Sequence, residues 1–369
     1  MADNKELRIT IIGLGLIGGS LAKAIRQNLS ISNITAIDSC SEYLDQAMEE
    51  KTIFRGLDRA DSSIRDSDII FICTPVNKTF EYVNMISGNV RKGCIITDVG
   101  STKSGIMSRI NNMCNPLCFI GGHPMTGSEK SGYSASSANL FENAYYVLTP
   151  GAQVNSSKIE FMKEFISAIG AFPIVMDPDE HDRVTGAISH VPHVIAAGLV
   201  NLVHESDTSD GIMKVLAAGG FKDITRIASS DAYIWRNITL SNKKFIADML
   251  YKYMNILNEF CHKMNCNNED ELYNFFAKAK DYRSCFSSTR KGPIPQNFEI
   301  VVDVEDKPGI IGEIATLLGD HGINIKNINI SNSREFELGC LTITLVDQFS
   351  MDKSVKLLQC NKYKVFTKM

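Results

Sequence analysis

Three glycines near the amino terminus have the spacing that most directly suggests chemistry. Gly13, Gly15 and Gly18 form the pattern G-x-G-x-x-G, in which Leu16 and Ile17 precede the third glycine. The first glycine permits a tight turn, the second lets backbone amides approach a pyrophosphate, and the third allows close packing of a helix on a strand. The amino end of the following helix adds partial positive charge at the phosphates. The pattern predicts a dinucleotide site, and a glycine turn without a ligand is the alternative.

An acidic residue ends the second apolar run of the chain, ITAID, at Asp38. A carboxylate at this place accepts hydrogen bonds from both ribose hydroxyls and repels a 2′-phosphate. Asp38 therefore favours NAD over NADP as the cofactor. The alternative is a carboxylate that only caps a helix or a turn.

Histidines and cysteines occur at short spacings, but no set of them completes a metal site. His190 and His193 are spaced i, i+3, and no nearby carboxylate adds a ligand. Cys261, His262 and Cys266 lie close together without a second pair at a zinc spacing. The ten cysteines are spread through the chain, which predicts free thiols rather than a disulfide scaffold. We therefore predict no metal.

Alternating strands and helices are expected to position these residues. The apolar runs that predict strands are Leu7–Ile12, Ile34–Asp38, Asp68–Thr74, Cys94–Val99, Phe119–Gly122, Ala144–Leu148 and Phe172–Met176. Helical stretches such as Lys158–Ile169 separate several of them, so the order predicts an α/β, Rossmann-like domain with a doubly wound, mostly parallel sheet. His123 follows two glycines at the end of one short run, where such sheets place ligands.

The pattern changes after Met176. From Pro178 to about Ser284 the chain is mainly helical, and Pro192 predicts a kink in the first long helix. Ser287–Gln296 is polar and contains glycine and prolines, as is typical of a linker. The last part has the order βαββαβ of a ferredoxin-like fold. We predict domains at residues 1–177, 178–286 and 297–369, with a linker at 287–296.

The composition narrows the class of function. The chain has 369 residues, of which 44% are hydrophobic and 22% charged, so we expect two or three globular domains. The net charge of -4 leaves no basic excess for a nucleic-acid backbone. The most apolar stretch, Val191–Val203, is too short for a membrane span, and the amino-terminal residues do not resemble a signal peptide. We predict a cytoplasmic protein that binds neither nucleic acid nor membrane.

A series of motifs in fixed order resembles the prephenate dehydrogenases of tyrosine biosynthesis. The motifs are GLGLIGGS at Gly13–Ser20, CTPV at Cys73–Val76, DVGSTK at Asp98–Lys103, GGHPMTGSEKSG at Gly121–Gly132, SHVPHVIA at Ser189–Ala196 and GGFKDITRIASSDAYIWRNI at Gly219–Ile238. The resemblance implies NAD-dependent oxidative decarboxylation of prephenate to 4-hydroxyphenylpyruvate. It also implies that Thr74 and Pro75 belong to the cofactor site.

The resemblance further implies catalytic roles. The reaction needs a base for the proton of the ring hydroxyl, and His123 matches the family's histidine there. An imidazole with a pKa near ~6.5 can accept that proton at neutral pH. Ser101 matches a polar partner of the hydroxyl and the nicotinamide. Ser128 and Glu129 match polar residues at the entrance, and a solvated loop is the alternative for Glu129.

The substrate is a dianion and needs cationic partners. Arg226 matches the family's carboxylate-binding arginine, whose planar guanidinium can bind a carboxylate through two hydrogen bonds. A surface ion pair with Asp223 is the alternative. His193 matches a substrate-binding histidine, and Trp235 either lies near the pocket, as in the family, or packs in the core.

The last part of the chain resembles an ACT regulatory domain through DKPGIIGEIATLLGDHGINIKNINI at Asp306–Ile330. The resemblance implies an amino-acid effector site with Gly309 and Ile310 at the turn after the first strand. Asn324 would bind the effector's backbone groups. In a tyrosine-forming enzyme the natural effector is the product, L-tyrosine. The alternative is a dimerising module without a ligand.

The sequence therefore predicts an NAD-dependent dehydrogenase of this family, a homodimer formed by a helical domain, with an ACT domain that mediates feedback inhibition. Arogenate, in which an amine replaces the keto group, remains an alternative substrate. A non-catalytic amino-acid sensor on a nucleotide-binding fold remains an alternative function. A β-hydroxyacid dehydrogenase shares the glycine loop but lacks the context around His123.

Overall fold

The computed structural model describes residues 6–127, 130–288, 298–305, 307–331 and 339–368. The chain divides into two compact units, Met1–Cys261 and His262–Met369. The division falls inside a long helix, α11 (Lys243–Asn265). Ser128, Glu129 and residues 289–296 of the predicted linker lie outside the described residues.

An eight-stranded sheet forms the centre of the first unit, with the strand order β3-β2-β1-β4-β5-β6-β7-β8. Its strands are β1 (Ile9–Ile12), β2 (Ile34–Ile37), β3 (Arg55–Leu57), β4 (Ile69–Ile72), β5 (Ile95–Asp98), β6 (Phe119–Pro124), β7 (Tyr145–Pro150) and β8 (Phe172–Val175). Neighbouring strands are parallel except for the antiparallel pair β6 and β7. The predicted doubly wound, mostly parallel sheet is therefore confirmed.

Helices cover both faces of this sheet. They are α1 (Leu16–Leu29), α2 (Ser41–Glu49), α3 (Val76–Ile86), α4 (Ser104–Asn111) and α5 (Ser156–Ala168). Successive strand residues point to opposite faces, so Ile69 and Phe71 join one buried cluster while Ile70 and Ile72 join another. Burial on both faces explains why the central strands are apolar throughout.

Helices make up the rest of the first unit. They are α6 (Pro178–Thr185), a π-helical turn (Gly186–His190), α7 (Val191–Ser206), α8 (Ile212–Leu216), α9 (Gly219–Thr225), α10 (Ala232–Ser241) and α11 (Lys243–Asn265). A 3-10 turn, Arg226–Ser229, joins α9 to α10. Strands are absent from residues 178–261, as the sequence predicts.

The segments α6, the π turn and α7 form one continuous helix, Pro178–Ser206, of 29 residues. The prediction that the apolar segment is too short to span a membrane is therefore wrong by length and composition, because the helix begins before Val191. Its first half carries the buried side chains of His181, Asp182 and His190. Of its most apolar 18-residue window, 22% is buried, so much of the apolar surface of this helix is exposed in the single chain. The π turn lies directly before Pro192, where proline cannot donate a helical hydrogen bond.

The second unit contains α12 (Glu269–Ser288) and the ferredoxin-like unit that the sequence predicts. Its elements are β9 (Phe298–Val304), α13 (Ile310–Asp320), β10 (Ile325–Ser331), β11 (Gly339–Leu345), α14 (Gln348–Cys360) and β12 (Lys364–Lys368). The sheet has the order β10-β11-β9-β12 and all of its pairs are antiparallel. Helix α12 extends through Ser288, so the predicted linker begins later than residue 287.

Candidate active site

The glycine loop lies at the carboxyl end of β1, next to the carboxyl end of β4. Gly13 has a φ of +94°, and a Cβ there would lie 2.7 Å from the carbonyl oxygen of Cys73. A Cβ on Gly18 would lie 1.9 Å from the carbonyl oxygen of Gly13. Both positions therefore require glycine. Because β2 and β4 lie on opposite sides of β1, this edge is the topological switch point at which such sheets bind ligands.

The loop has the features of a phosphate cradle. A Cβ on Gly15 would meet nothing within 4 Å, so space is open in front of this residue. Helix α1 begins at Leu16 without a side-chain cap or an acidic residue in its first turn. Its first amides are thus available to an anion. The hydroxyl of Thr74 is buried beside the loop and has no hydrogen-bond partner within the described part of the chain. These features fit a dinucleotide.

Asp38 follows β2 and contacts the backbone of the glycine loop. Its Oδ2 accepts a hydrogen bond of 2.6 Å from the amide of Leu14, and its Oδ1 accepts one of 2.8 Å from the amide of Cys40. The carboxylate therefore both orders the loop and stands where the ribose of a dinucleotide is expected. The capping role and the cofactor role predicted for Asp38 are compatible.

A buried ion pair organises the loop after β5. Lys103 Nζ lies 2.5 Å from Asp98 Oδ2, and the two side chains are 0% and 1% exposed. Asp98 also accepts hydrogen bonds from the amides of Gly100 and Gly122. The carboxylate thereby joins the loop that carries Ser101 to strand β6, which carries His123.

His123 lies near the carboxyl end of β6 and contacts a second histidine. Its Nδ1 is 2.8 Å from Nε2 of His181 in α6, and the two rings meet edge to face. His181 Nδ1 is in turn 2.8 Å from Oδ1 of Asp182. His123 keeps partial exposure, whereas His181 and Asp182 are buried. The three residues form a continuous chain of hydrogen bonds that ends at the candidate base.

The surroundings keep His123 uncharged. Burial lowers its pKa well below the usual value, and the nearby His181, Lys103 and His190 lower it further. A neutral imidazole at neutral pH can accept a proton, which is the property that a general base needs.

Asp182 remains an anion in spite of its burial. Burial raises its pKa, but hydrogen bonds from His181 and from the amides of Lys103 and Ser104 outweigh that effect and leave the pKa below its usual value. Those two amides, at 2.7 and 2.9 Å, belong to the start of α4. Asp182 therefore caps α4 and holds His181 at the same time.

A second group of rings lies along the same long helix. Trp235 in α10 stacks on His193 at 3.6 Å between ring centroids and meets His190 edge to face. His193 Nδ1 donates a hydrogen bond to the carbonyl of Ser189, so its Nε2 is left for another partner. The structure thus brings the side chains of His193 and Trp235 into direct contact.

Arg226 begins the 3-10 turn between α9 and α10 and is exposed. This turn packs against α7, the helix that carries His193. Ser101 is partly exposed in the loop after β5. The predicted substrate residues therefore come from separate elements of the first unit, while Ser128 and Glu129 lie outside the described part.

Comparison with known proteins identifies the family. The model of the prephenate dehydrogenase nucleotide-binding domain matches residues 21–175, that of the dimerization domain matches residues 177–278, and the ACT domain model matches residues 298–350. The prephenate dehydrogenase of Bacillus subtilis is 38% identical over 91% of this chain and 91% of its own length. The chain belongs to the prephenate dehydrogenase family.

Solved structures of the family share the fold. Prephenate dehydrogenase from Aquifex aeolicus, in complex with hydroxyphenyl propionate and NAD⁺, has a TM-score of 0.72 and 30% identity. The match covers 76% of this chain and 98% of that one. Arogenate dehydrogenase from Synechocystis has a TM-score of 0.67 and 25% identity over 76% of this chain and all of its own. The family thus includes relatives named for either of the two substrates considered above.

The predicted effector residues of this family member occupy two ends of one helix. Gly309 has a φ of +91° and precedes α13, which has 11 residues, whereas Asn324 follows it and is exposed. At 1.5 Å per residue, α13 is about 16 Å long, and the two residues lie beyond its opposite ends. The side chain of Ile310 is only 6% exposed and belongs to the core. Its backbone, rather than its side chain, can contact a ligand.

Sequence reasoning missed His181, Asp182 and Asn242. Asn242 Nδ2 donates to the carbonyl of Asp182 and lies 3.0 Å from His190 Nδ1, so it connects the two histidine groups. Burial lowers the pKa of His190 to about 4. The adjacent polar residues His181 and Asp182 at the start of a helical segment could have suggested a functional pair. Only the fold shows that His181 contacts His123 in β6.

Proposed function

We propose that this protein oxidatively decarboxylates prephenate to 4-hydroxyphenylpyruvate with NAD⁺. The observation that carries the proposal is the position of His123, a neutral imidazole at the carboxyl edge of the sheet that also carries the glycine loop. Oxidation of an alcohol requires a dinucleotide that accepts a hydride and a base that accepts a proton. This edge of the sheet offers a place for both. Membership of the family supports the choice of substrate.

The reaction balances with one base. The O–H bond of the ring hydroxyl breaks and its proton moves to His123, while the C–H bond of the carbinol carbon breaks and its hydrogen leaves as a hydride with both electrons. NAD⁺ supplies the hydride acceptor when bound. Loss of CO₂ returns an electron pair to the ring, which becomes aromatic, and the phenol oxygen regains a proton. Prephenate dianion and NAD⁺ thus give 4-hydroxyphenylpyruvate anion, CO₂ and NADH.

Residues on different elements divide the binding of the substrate. Ser101, in the loop held by Asp98 and Lys103, contacts the ring hydroxyl together with His123. His193 and Trp235 form the wall along the ring, because their stacked geometry offers a flat surface and a free Nε2. Arg226 binds a carboxylate. Ser128 and Glu129, which lie outside the described residues, are assigned to the entrance from the sequence resemblance alone.

Asp38 sets the choice of cofactor in this proposal, and Gly13, Gly15, Leu16, Ile17, Gly18, Thr74 and Pro75 complete the cofactor site. We expect kcat/KM with NAD⁺ to exceed that with NADP⁺ clearly, because the carboxylate repels a 2′-phosphate. Asp38→Asn keeps an oxygen for the amide of Leu14 but removes the charge, so the ratio of the two kcat/KM values should fall. Equal use of both cofactors by the unaltered protein would contradict this role.

Substrate choice is tested by steady-state turnover of prephenate and of arogenate, each with NAD⁺. We expect a larger kcat/KM for prephenate. A larger value for arogenate would assign the protein to the other substrate of its family. Binding of L-tyrosine without turnover of either compound would favour a sensor and refute the proposed activity.

We further propose a homodimer formed by the helical domain, residues 178–286. Its helices expose large apolar side chains that a second copy would cover: Val215, Leu216, Leu240, Tyr251 and Met254. Removal of such surface from water stabilises association. The family model that matches this segment is itself described as a dimerization domain.

The cysteines with described side chains are free thiols, which supports a cytoplasmic location.

The ACT domain, residues 297–369, is proposed to bind L-tyrosine as a feedback inhibitor. Because α13 keeps Gly309 and Asn324 at opposite ends, a site that uses both residues combines two copies of the chain. Inhibition then follows from a difference in the affinity of tyrosine for two states of the enzyme.

Deletion of residues 297–369 should leave an active enzyme that has lost most of its inhibition by L-tyrosine, because every proposed catalytic residue precedes this segment. The measurement is prephenate turnover against tyrosine concentration for both chains. A truncated enzyme that retains full inhibition, competitive with prephenate, would place tyrosine at the active site instead. A truncated chain that fails to fold would show that the domain is part of the core assembly.

A further inference from the structure

In the chain of hydrogen bonds that joins His123, His181 and Asp182, each contact has a definite donor and a definite acceptor. We propose that Asp182 and His181 fix the tautomer of His123, leaving its Nε2 unprotonated and ready to accept a proton. The inference deepens the proposed function, because it concerns the residue that acts there as the base. His181 and Asp182 are positioning residues, since they act on the substrate only through His123.

The direction begins at Asp182, which can only accept. Its Oδ2 accepts a hydrogen bond of 2.9 Å from the amide of Ser104, and its Oδ1 accepts one of 2.7 Å from the amide of Lys103. The same Oδ1 lies 2.8 Å from His181 Nδ1. A carboxylate that already accepts two amide hydrogens has no proton to give, so the hydrogen on this contact belongs to His181 Nδ1.

In the proposed arrangement His181 is neutral and donates its one hydrogen to Asp182, so its Nε2 has a lone pair. This nitrogen lies 2.8 Å from His123 Nδ1, so Nδ1 of His123 must carry the hydrogen of that contact. A neutral imidazole holds one N–H, and the remaining nitrogen of His123, Nε2, is therefore the proton acceptor. The opposite direction would place a hydrogen on Nε2 of His123 and remove the base.

The charges around His123 favour a neutral ring for this residue. Lys103 lies in the loop after β5, His181 is in α6 and His190 is in the π turn, and all three disfavour a positive charge on His123. Lys103 is itself paired with Asp98. When His123 takes the substrate's proton, its Nδ1–H remains bonded to His181, and the chain ends at the Asp182 carboxylate. The new positive charge is thus stabilised without any rearrangement.

The burial of His181 and Asp182 stabilises the donor and acceptor roles in this chain of hydrogen bonds. His181 and Asp182 are 0% and 1% exposed, so water does not compete for their hydrogen bonds. Asp182 is also held by the first amides of α4, and α4 and α6 thereby fix its orientation. A carboxylate that both caps a helix and orients an imidazole resists rotation.

The test compares His181→Phe with His181→Gln in the full chain. Phenylalanine fills the space without accepting a hydrogen bond, whereas the Gln side-chain oxygen can accept one from His123 Nδ1. We expect kcat for prephenate to fall at least about tenfold in His181→Phe. This loss is a part of the contribution of a general base, which is about 10²–10⁴-fold in total. His181→Gln should recover most of it, and KM should change little in both. Thr185→Val, which alters the same buried helix but neither ring, serves as the control.

A second readout does not depend on activity. Nitrogen-15 NMR of the imidazoles in the unaltered protein should show a protonated Nδ1 and an unprotonated Nε2 in both His123 and His181. A protonated Nε2 on His123, or equal kcat values for His181→Phe and His181→Gln, would overturn the proposal. If prephenate is not oxidised, the proposed function fails, while the protonation pattern still decides the tautomer.

Discussion

Replacing His123 by asparagine is expected to lower kcat for prephenate by about 10²–10⁴-fold, the usual contribution of a general base. Asparagine keeps a hydrogen-bonding side chain of similar reach but cannot take the proton of the ring hydroxyl. The Kd for NAD⁺ should not change, because the glycine loop lies at the end of a different strand. Steady-state kinetics and NAD⁺ titration measure the two quantities.

A histidine elsewhere in the first unit provides the control. His204→Asn, in the last turn of α7, should leave kcat unchanged. Near-normal turnover of His123→Asn would show that another group accepts the proton.

The pH dependence follows from the state of the same imidazole. Only neutral His123 accepts a proton, so kcat/KM should rise with pH through the pKa of His123 and stay level above it. Because burial and the neighbouring histidines and Lys103 lower that pKa, the rise should occur below the ordinary histidine range. A profile that still rises between pH 7 and 8 would require a different base.

Replacing Lys103 by methionine is expected to lower the free energy of unfolding by about 3–5 kcal/mol, the usual cost of removing one partner of a buried ion pair. The substitution leaves Asp98 buried, with the amides of Gly100 and Gly122 as its remaining donors among the described residues. It should also displace the loop that carries Ser101. Urea unfolding followed by Trp235 fluorescence reports on the unit that contains all these residues.

A surface pair provides the matched control for this stability measurement. Lys163 and Glu160 are 3.0 Å apart in α5, with side chains 38% and 63% exposed. Lys163→Met should change the free energy of unfolding by less than about 1 kcal/mol, because solvent screens exposed pairs. If Lys103→Met were as mild as Lys163→Met, the buried pair would not hold the loop.

The local features of the site are those that sequence predicts well. The glycine loop could be predicted because its glycines are required by contacts within a few residues and with the adjacent strand, as at Gly13 and Gly18. The strands of the large sheet could be predicted because both faces are buried, which makes them apolar throughout. Strand β3 was missed, because its short sequence RGL at the sheet edge has no apolar run.

Long-range polar contacts could not be predicted. Asp182 joins the start of α4, which lies far from it in the chain, and Asn242 joins Asp182 to His190. Such contacts leave no repeating pattern in the sequence, because a single hydrogen bond between distant residues does not constrain the residue types at neighbouring positions. The effector residues show the same limit: the motif groups Gly309 with Asn324, but the geometry separates them along α13.

The most direct test of the central claim is the stoichiometry of the reaction. Prephenate is incubated with the full chain and NAD⁺, and NADH and 4-hydroxyphenylpyruvate are measured together. We predict that one molecule of each forms for each prephenate consumed, and that both rates fall together in His123→Asn. Formation of NADH without 4-hydroxyphenylpyruvate, or no consumption of prephenate by the unaltered protein, would contradict oxidative decarboxylation at this site.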